Sequence, residues 1–200
     1  MAEHYLDFMA TESVRRAQER YYGRRSEGAG AEGQDPLTEE EMVFIRARDS
    51  FYMATVTENG WPYVQHRGGF TGFLRVLGPS SLAFADYRGN RQMLTTGNLA
   101  VNDRVALFLM DYPERNRLKI LGRARVEEAK GHPTLVEQLA EPEVRNAVER
   151  IFFIDVLSHD WNCSKFITPR YTATEIEKLV EPLQKRIAEL EGASRIANKR

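Results

Sequence analysis

The densest run of polar side chains covers residues 86–92 (DYRGNRQ), after an apolar stretch and before a segment with helical periodicity. Gly89 permits a tight turn, and Asn90 is a residue type that often begins a helix, so the first helical N–H groups would point into the turn. Arg88 and Arg91 carry planar guanidinium groups that match phosphate oxygens. The pattern predicts an anion site at a helix N-terminus. An ordinary polar turn with surface arginines would have the same sequence.

A second polar group, Gln65-His66-Arg67, ends a segment of strand-forming residues. Because successive side chains of a strand alternate between its faces, Gln65 and Arg67 would share one face and His66 would lie on the other. An arginine at the end of an apolar strand is costly unless it is paired or bound to a ligand. Gln65 and Arg67 are therefore binding candidates, and a charged strand end in water is the alternative.

A third group lies late in the chain, where Trp161 and Asn162 are followed by Cys163 and Lys165. Polar hydrogen-bonding groups beside a tryptophan often line the edge of a ligand site. A buried loop that satisfies its own backbone would have the same composition. Cys163 has no local base apart from His159, which argues against a thiol nucleophile.

The composition argues against several kinds of function. A formal net charge of −1 and 42% hydrophobic residues fit a soluble globular chain and do not indicate nucleic-acid binding. The single cysteine allows no intramolecular disulfide, and the four histidines are scattered without the spacing of metal ligands. No phosphate-loop or nucleophile-elbow motif, membrane-length apolar run or secretory signal is apparent. We therefore expect a cytoplasmic protein without a metal.

The chain is predicted to have three parts: a helical arm with a flexible linker over 1–36, a β-rich domain over 37–170 and a helical tail over 171–200. Helical periodicity over 11–22 precedes a glycine-rich, polar linker. Thr38 and Glu41 form a capping box, which predicts a helix that ends near residue 49.

The tail is predicted to be a helix that begins with a second capping pair, Thr174 and Glu177. Pro182 predicts a kink or a second helix start. The apolar residues alternate at steps of four and three, the spacing of a helix that packs on another helix: Ile176, Val180, Leu183, Ile187 and Leu190.

The central part changes to short runs rich in aromatic and β-branched residues. Six runs are predicted to be strands: 51–56, 61–69, 81–85, 104–110, 117–126 and 151–156. Asn59-Gly60 between the first two is a strong hairpin signal. Helices are predicted over 91–101 and, interrupted at Pro142, over 133–148. Closely spaced strands without a helix between each pair predict a mainly β (α+β) fold, a six-stranded antiparallel split β-barrel with flanking N- and C-terminal helices.

The order of these pieces resembles the pyridoxamine 5'-phosphate oxidase-like family of FMN-binding split barrels. The resemblance covers about residues 38–154 of the sequence. It is carried by the first hairpin, Leu82 to Asp86 (LAFAD), Gly89-Asn90-Arg91, Asn98, residues 102–107 (NDRVAL) and residues 118–124 (LKILGRA). No one of these segments is diagnostic, but the ordered set is fairly specific.

The resemblance implies that FMN is the cofactor and that its phosphate is held by the end of the second strand and the turn after the third. The matching positions are Gln65, Arg67, Asn90, Arg91 and Gln92, while Asp86 and Arg88 belong to the same turn, Asp86 as a shaping residue. Arg117 matches a position that often touches the polar edge of the flavin ring. The family binds FMN at a homodimer interface, which makes Trp161, Asn162 and Lys165 candidates to reach the partner's flavin.

Two departures argue against the vitamin B6 reaction. Where true pyridoxamine phosphate oxidases carry an arginine and a lysine on the second strand, this chain has Gln65 and Arg67. Their C-terminal arginine-histidine signature is not visible either. The predicted function is that of a homodimeric FMN-dependent oxidoreductase acting on a small organic substrate or a nicotinamide, without nucleic-acid or membrane partners. The alternative is a non-catalytic module that binds or senses flavin or haem on the same barrel.

Overall fold

The computed structural model describes residues 3–28, 30, 33–161 and 165–197 of the chain. Contacts divide the chain into two units, the first formed by Met1–Asp111 with Asn116–Ser164 and the second by Tyr112–Arg115 with Lys165–Arg200. The first unit contains the sheet, and the second contains the long C-terminal helix. The three-part division made from the sequence stays a prediction.

The described residues form seven strands and six α-helices. The strands are β1 (Ser50–Val56), β2 (Pro62–Gly68), β3 (Arg75–Gly78), β4 (Ser81–Tyr87), β5 (Arg104–Asp111), β6 (Asn116–Glu128) and β7 (Val148–Trp161). The helices are α1 (Tyr5–Met9), α2 (Glu12–Tyr22), α3 (Glu39–Arg46), α4 (Leu94–Val101), α5 (Pro133–Leu139) and α6 (Ala173–Ala197). Two short 3₁₀ helices, Ala129–Gly131 and Pro142–Ala147, lie on either side of α5. No helix of this set is long and apolar enough to cross a membrane.

The strands form one antiparallel sheet in the order β2-β1-β5-β6-β7-β4-β3. This confirms the mainly β, antiparallel class with flanking helices, but the predicted six-stranded barrel is wrong in strand number and in closure. The sequence analysis missed β3 because its four residues, RVLG, are too short to show alternation. Pairing among the described residues does not close the sheet, because β2 and β3 are its two edges.

The main core lies on one face of the sheet and follows from the alternation of side chains along the strands. Its largest buried members include Phe51, Met53, Leu107, Leu109, Leu118 and Ile120. The rings of Phe84 on β4 and Phe152 on β7 stack in this core with 4.8 Å between their centres. A smaller cluster packs β4 and β7 against α5: Ala83, Ala85, Leu139, Ile151 and Phe153.

Several local predictions are confirmed. The Asn59-Gly60 turn joins β1 to β2, and Gly60 has the positive φ of 87° that favours glycine. The predicted interruption at Pro142 separates α5 from the following 3₁₀ helix. The tail is a single helix, α6, with Pro182 inside it. Its capping pair lies two residues earlier than predicted.

The pair that caps α6 is Thr172 and Glu175. The backbone N–H and the hydroxyl of Thr172 donate to the Glu175 carboxylate at 2.7 and 2.8 Å. Both candidate pairs have the same Thr-x-x-Glu pattern, so the sequence alone did not distinguish them.

Glu41 joins the start of α3 to the end of β7. The predicted capping box with Thr38 is present, and Nε1 of Trp161 donates to the same carboxylate at 2.6 Å. Burial alone would raise the pKa of Glu41, but the hydrogen bonds from Thr38 and Trp161 lower that pKa below its usual value. Stabilisation by the ionised carboxylate is therefore complete above the unfolded-state pKa and is lost as the pH falls through the folded-state pKa.

We expect Glu41→Ala to lower the free energy of unfolding at pH 7 by about 2–3 kcal/mol, because the change removes a helix cap and leaves the buried indole N–H of Trp161 unpaired. Urea denaturation measures the loss, which should shrink as the pH falls through the folded-state pKa. The exposed neighbour Glu40 offers a matched control, since Glu40→Ala should cost only about 0.5 kcal/mol. Equal losses in the two variants would contradict the role of Glu41.

Candidate functional site

A cavity lies at the predicted anion site, between the open edge of β2 and the end of β4. Its volume is about 240 Å³. The lining residues are Tyr63, Gln65, Arg67, Asp86, Tyr87, Gly89, Asn90, Arg91, Gln92, Met93, Leu94, Thr95, Thr96 and Arg150. The fold thus brings together six of the residues singled out in the sequence: Gln65, Arg67, Asp86, Asn90, Arg91 and Gln92.

The backbone after β4 differs from the predicted turn. Asn90 is not the N-cap of the helix, because α4 begins at Leu94 and its N-cap is Met93. The side chain of Asn90 instead accepts a hydrogen bond from the backbone N–H of Gln92 at 3.1 Å, a local bond that asparagine often makes in turns. Arg91 and Met93 have positive φ values of 60° and 57°. Strained non-glycine residues of this kind are concentrated at ligand sites.

The start of α4 faces the cavity without a side-chain cap. No side chain bonds to its first turn from the N-cap position, and Leu94, Thr95 and Thr96 all line the cavity. The first N–H groups of a helix have no partner within the helix and carry its positive dipole end. The predicted contribution of a helix N-terminus to an anion site therefore remains, although the helix begins four residues after Asn90.

Buried hydroxyl and amide groups fix α4 on the sheet. The Thr95 hydroxyl donates to Oε1 of Gln65 on β2 at 2.7 Å, and Nδ2 of Asn98 donates to the Thr55 hydroxyl on β1 at 2.9 Å. Thr95, Asn98 and Thr55 are all buried, so these bonds are shielded from competing water. Gln65 thus has a positioning role, holding the start of α4 beside β2.

Asp86 links two arginines across the open side of the sheet. Nη1 of Arg67 on β2 donates to Oδ1 of Asp86 at 2.8 Å, and Nε of Arg150 on β7 donates to Oδ2 at 2.9 Å. The three side chains are only 12–16% exposed, so the ion pairs are mostly screened from solvent. The edge strand β2 is therefore connected by charge to β4 and β7, with which it does not pair in the sheet.

Arg67 has binding capacity that the fold does not use. Its guanidinium lies 5.0 Å from the ring centre of Phe152 and 5.5 Å from that of Phe84. Its Nε is buried and has no hydrogen-bond partner among the described residues. A buried donor without a partner carries a desolvation cost unless a ligand atom accepts its hydrogen.

The charge of the cavity favours an anion. Arg67, Arg91 and Arg150 line it against a single carboxylate, Asp86, which leaves a formal charge of +2. Burial raises the pKa of the Tyr87 phenol, so that this lining residue stays neutral. Fixed guanidinium groups and helix N–H donors around one small cavity fit a phosphate dianion.

The other predicted residues that the structure describes are not part of the cavity lining. Arg88 is 62% exposed, and its Nε donates to Glu149 at 3.1 Å. Arg117 lies on β6 beside the ring of Phe108, and its Nε is buried without a partner among the residues that the structure describes. Lys165 is exposed and belongs to the second unit.

Trp161 has a structural contact that the sequence did not indicate. Its indole N–H is bonded to Glu41, and its ring meets Phe44 edge-on with 4.8 Å between the ring centres. Asn162 lies outside the described residues. The roles of Trp161, Asn162 and Lys165 at a partner's flavin stay predictions.

The sequence analysis missed Arg150 and the two threonines of α4. Arg150 begins the apolar run of β7, and it shares Asp86 with a residue 83 positions earlier, Arg67. Its alternation with Phe152 and Ile154 was a usable signal for an inward-facing arginine, but the predicted strand began at residue 151. Thr95 and Thr96 were not recognised because they line the cavity only as part of the first turn of α4, and the sequence did not show that α4 begins at Leu94.

Comparison with solved structures shows the fold. A variant of HupZ from Group A Streptococcus has a TM-score of 0.50 and 13% sequence identity, over 63% of this chain and 99% of that one. A Clostridium acetobutylicum protein related to general stress protein 26 of the pyridoxinephosphate oxidase family has a TM-score of 0.48 and 12% identity, over 62% and 85%. An FMN-binding protein from Syntrophomonas wolfei has a TM-score of 0.44 and 11% identity, over 62% and 87%.

A search of curated proteins found no match. The family model described as pyridoxamine 5'-phosphate oxidase matches residues 37–151. That segment contains α3, six complete strands, α4 and the whole of the cavity lining. The match covers more than half of the chain, and the chain therefore belongs to the pyridoxamine 5'-phosphate oxidase family.

Proposed function

We propose that this protein binds FMN with the phosphate group in the cavity formed by Arg67, Arg91, Arg150 and the start of α4. The observation that carries the proposal is the group of Arg67, Asp86 and Arg150, in which the buried Nε of Arg67 has no partner among the described residues. With Arg91, the lining has a formal charge of +2. Bound FMN would supply hydride or electron transfer, and the protein would supply position, hydrogen bonds and protection from water.

The size of the cavity supports a phosphate subsite and not a complete enclosure. Sites that enclose a whole drug-sized ligand usually have about 300–1,000 Å³, whereas this cavity has about 240 Å³. The phosphate and part of the neighbouring chain would fill it. The flavin ring would then lie beyond the cavity, where another surface must cover it.

A second copy of the chain is the proposed source of that surface. The face of the sheet opposite the core carries an apolar row across four paired strands: Val64, Ala54, Ala106 and Leu121. Tyr52 and Phe108 form a neighbouring pair, and Val64 and Tyr52 are 59% and 39% exposed. Burial of this face between two copies would remove apolar surface from water. It would also bring Arg117, on the same face, to the interface.

The proposed activity is that of an FMN-dependent oxidoreductase acting on a small organic substrate or a nicotinamide. Arg67, Arg91 and Arg150 would bind and orient the cofactor through its phosphate. Asp86 would hold two of these arginines in place before the ligand arrives, which reduces the cost of ordering them on binding. No side chain of the site needs to act as a nucleophile in such a reaction.

The absorbance spectrum of the purified protein tests cofactor binding. We expect a yellow protein, or a colourless one that gains a bound-flavin spectrum on titration with FMN. FMN should bind at least about tenfold more tightly than riboflavin, which lacks the phosphate, since one charge-assisted hydrogen bond accounts for that factor. Equal affinities would place the phosphate elsewhere, and no binding of either flavin would refute the proposal.

Stopped-flow reduction tests whether bound FMN turns over. With NADH or NADPH in excess, we expect bound FMN to be reduced faster than free FMN at the same concentration. Reduction no faster than that of free FMN by nicotinamides or by a set of small organic donors would favour a protein that only binds flavin. Titration with haem, followed in the visible spectrum, distinguishes a haem-binding role.

A further inference from the structure

The helix α6 carries a stripe of large apolar side chains, most of which are about half exposed. Ile176, Leu183, Ile187 and Leu190 are between 49% and 62% exposed, and Val180 is partly exposed. The helix is 25 residues long and has a proline in its interior. Helices of this kind gain most of their stability from packing of an apolar face. We therefore expect the stripe to pack against another apolar surface.

The order of residue types in the stripe indicates which kind of surface packs against it. The five residues alternate at steps of four and three, so they occupy the a and d positions of a heptad repeat. Val180 and Ile187 fall at a, while Ile176, Leu183 and Leu190 fall at d. In parallel coiled coils, β-branched residues at a with leucine at d favour two strands over three or four. We propose that the α6 helices of two copies of this chain pair as a parallel two-stranded coiled coil.

The residues that border the stripe fit this arrangement. In a parallel pair, a residue at position g faces the residue at position e of the next heptad in the partner. Arg186 lies at g and Glu191 at the following e, so two symmetric pairs of opposite charge would form across the interface. Pro182 falls at position c, on the side away from the seam. Its missing N–H would therefore not disturb the packing of the helices.

The pairing rests on α6 alone and does not depend on flavin binding. The flavin titration and the helix pairing can thus fail separately. An antiparallel pair sets d positions beside a positions, for example Leu190 beside Val180 of the other helix, whereas a parallel pair places Leu190 beside its own equivalent. A disulfide forms only where the two Cα atoms lie within about 7 Å, so it reports this difference directly.

Cysteine cross-linking in the full-length chain tests the proposal. The native cysteine is first removed by Cys163→Ser, and the chain then carries either Leu190→Cys at a d position or Ala188→Cys at the outward b position. Under mild oxidation at low protein concentration, we expect a covalent dimer of the Leu190→Cys chain and almost none of the Ala188→Cys chain. Equal cross-linking of both, or none of either, would overturn the proposal. Cross-linking only in a mixture of Val180→Cys and Leu190→Cys chains would overturn the parallel arrangement.

A charge placed in the seam provides a second test. Added to the Leu190→Cys chain, Ile187→Lys should reduce the cross-linked fraction by more than about tenfold, because an apolar seam cannot pair the charge. Ala188→Lys puts the same charge one residue away, on the exposed side, and should leave cross-linking unchanged. Circular dichroism confirms that both chains remain folded. A similar loss in the two chains, or in neither, would contradict burial of Ile187 between helices.

Discussion

Replacement of Arg67 by methionine is expected to weaken FMN binding by about 2–3 kcal/mol, roughly 30- to 150-fold, and to leave riboflavin binding nearly unchanged. Arg67 offers a buried Nε without a partner among the described residues, in a site that is 14% exposed. A charge-assisted bond from this position to a phosphate oxygen would form with little loss of side-chain entropy, because Asp86 already fixes the guanidinium.

Methionine is a suitable replacement because it is unbranched and can fill the space that Arg67 occupies beside the rings of Phe84 and Phe152. Asp86 retains Arg150 as a partner in this variant, so the carboxylate is not left alone. Isothermal titration with FMN and with riboflavin separates the phosphate contact from contacts to the ring. A decrease of the same size for both flavins would show that the cavity binds another part of the cofactor.

Arg88 and Arg91 provide the comparison for Arg67. Arg88 is paired with Glu149 and does not line the cavity, so Arg88→Met should change FMN affinity by less than about 0.5 kcal/mol. Arg91 lines the cavity but is exposed, so its replacement should have an effect between those of the other two. If Arg88→Met weakens FMN binding as much as Arg67→Met does, FMN is attracted by the overall positive charge of the surface and not by a defined cavity.

The sequence analysis predicted those parts of the site that depend on local patterns. Gln65 and Arg67 could be assigned to one face of a strand because the alternation is regular there, and the polar run after β4 could be recognised from its composition. The start of α4 could not be predicted, because Asn90 makes a local bond to Gln92 and the chain then passes through two left-handed residues. The bond from Gln92 to Asn90 and the two left-handed backbone conformations depend on how the turn packs, and not on the helix preferences of the residues.

The long-range pairing of charges was beyond the reach of the sequence. Nothing local to Asp86 indicates that it accepts from Arg67 and from Arg150, which are 19 and 64 positions away. The strand order also depends on contacts between distant segments, and β3 is too short to be recognised without its partner β4. Family resemblance supplied the general position of the proposed phosphate site, whereas the contacts of Asp86 required the fold.

Replacement of Asp86 by asparagine is expected to lower the free energy of unfolding of the flavin-free protein by about 3 kcal/mol. The carboxylate lies between two guanidinium groups in a site that is 12–16% exposed and offsets one of their two positive charges, while Arg150 also contacts Glu149 at 3.1 Å. Asparagine has a similar shape but lacks the charge, and its amide N–H₂ cannot accept a hydrogen bond from an arginine. The cost therefore comes from two cations left close together, and the loss of packing is small. Urea denaturation without flavin measures the effect.

Asp155→Asn is the matched control for this change. Asp155 lies on β7 and is 61% exposed, and its nearest cation is Arg125 at 3.4 Å. Exposed ion pairs contribute little, so the control should lose less than about 1 kcal/mol. Losses of equal size at Asp86 and Asp155 would show that Arg67 and Arg150 do not repel each other in the folded protein.

The same variant also tests the phosphate site when FMN is present. A phosphate dianion between the arginines would replace part of the missing negative charge, so saturating FMN should reduce the stability loss of Asp86→Asn relative to the flavin-free protein. By linkage, the variant should then bind FMN more tightly than the wild type does, because the gain in charge attraction exceeds the ordering cost that Asp86 saves, while riboflavin should give no such gain. An identical loss with and without FMN would place the phosphate away from Arg67 and Arg150, even if the protein is yellow. The result thus separates flavin binding in general from binding at this cavity.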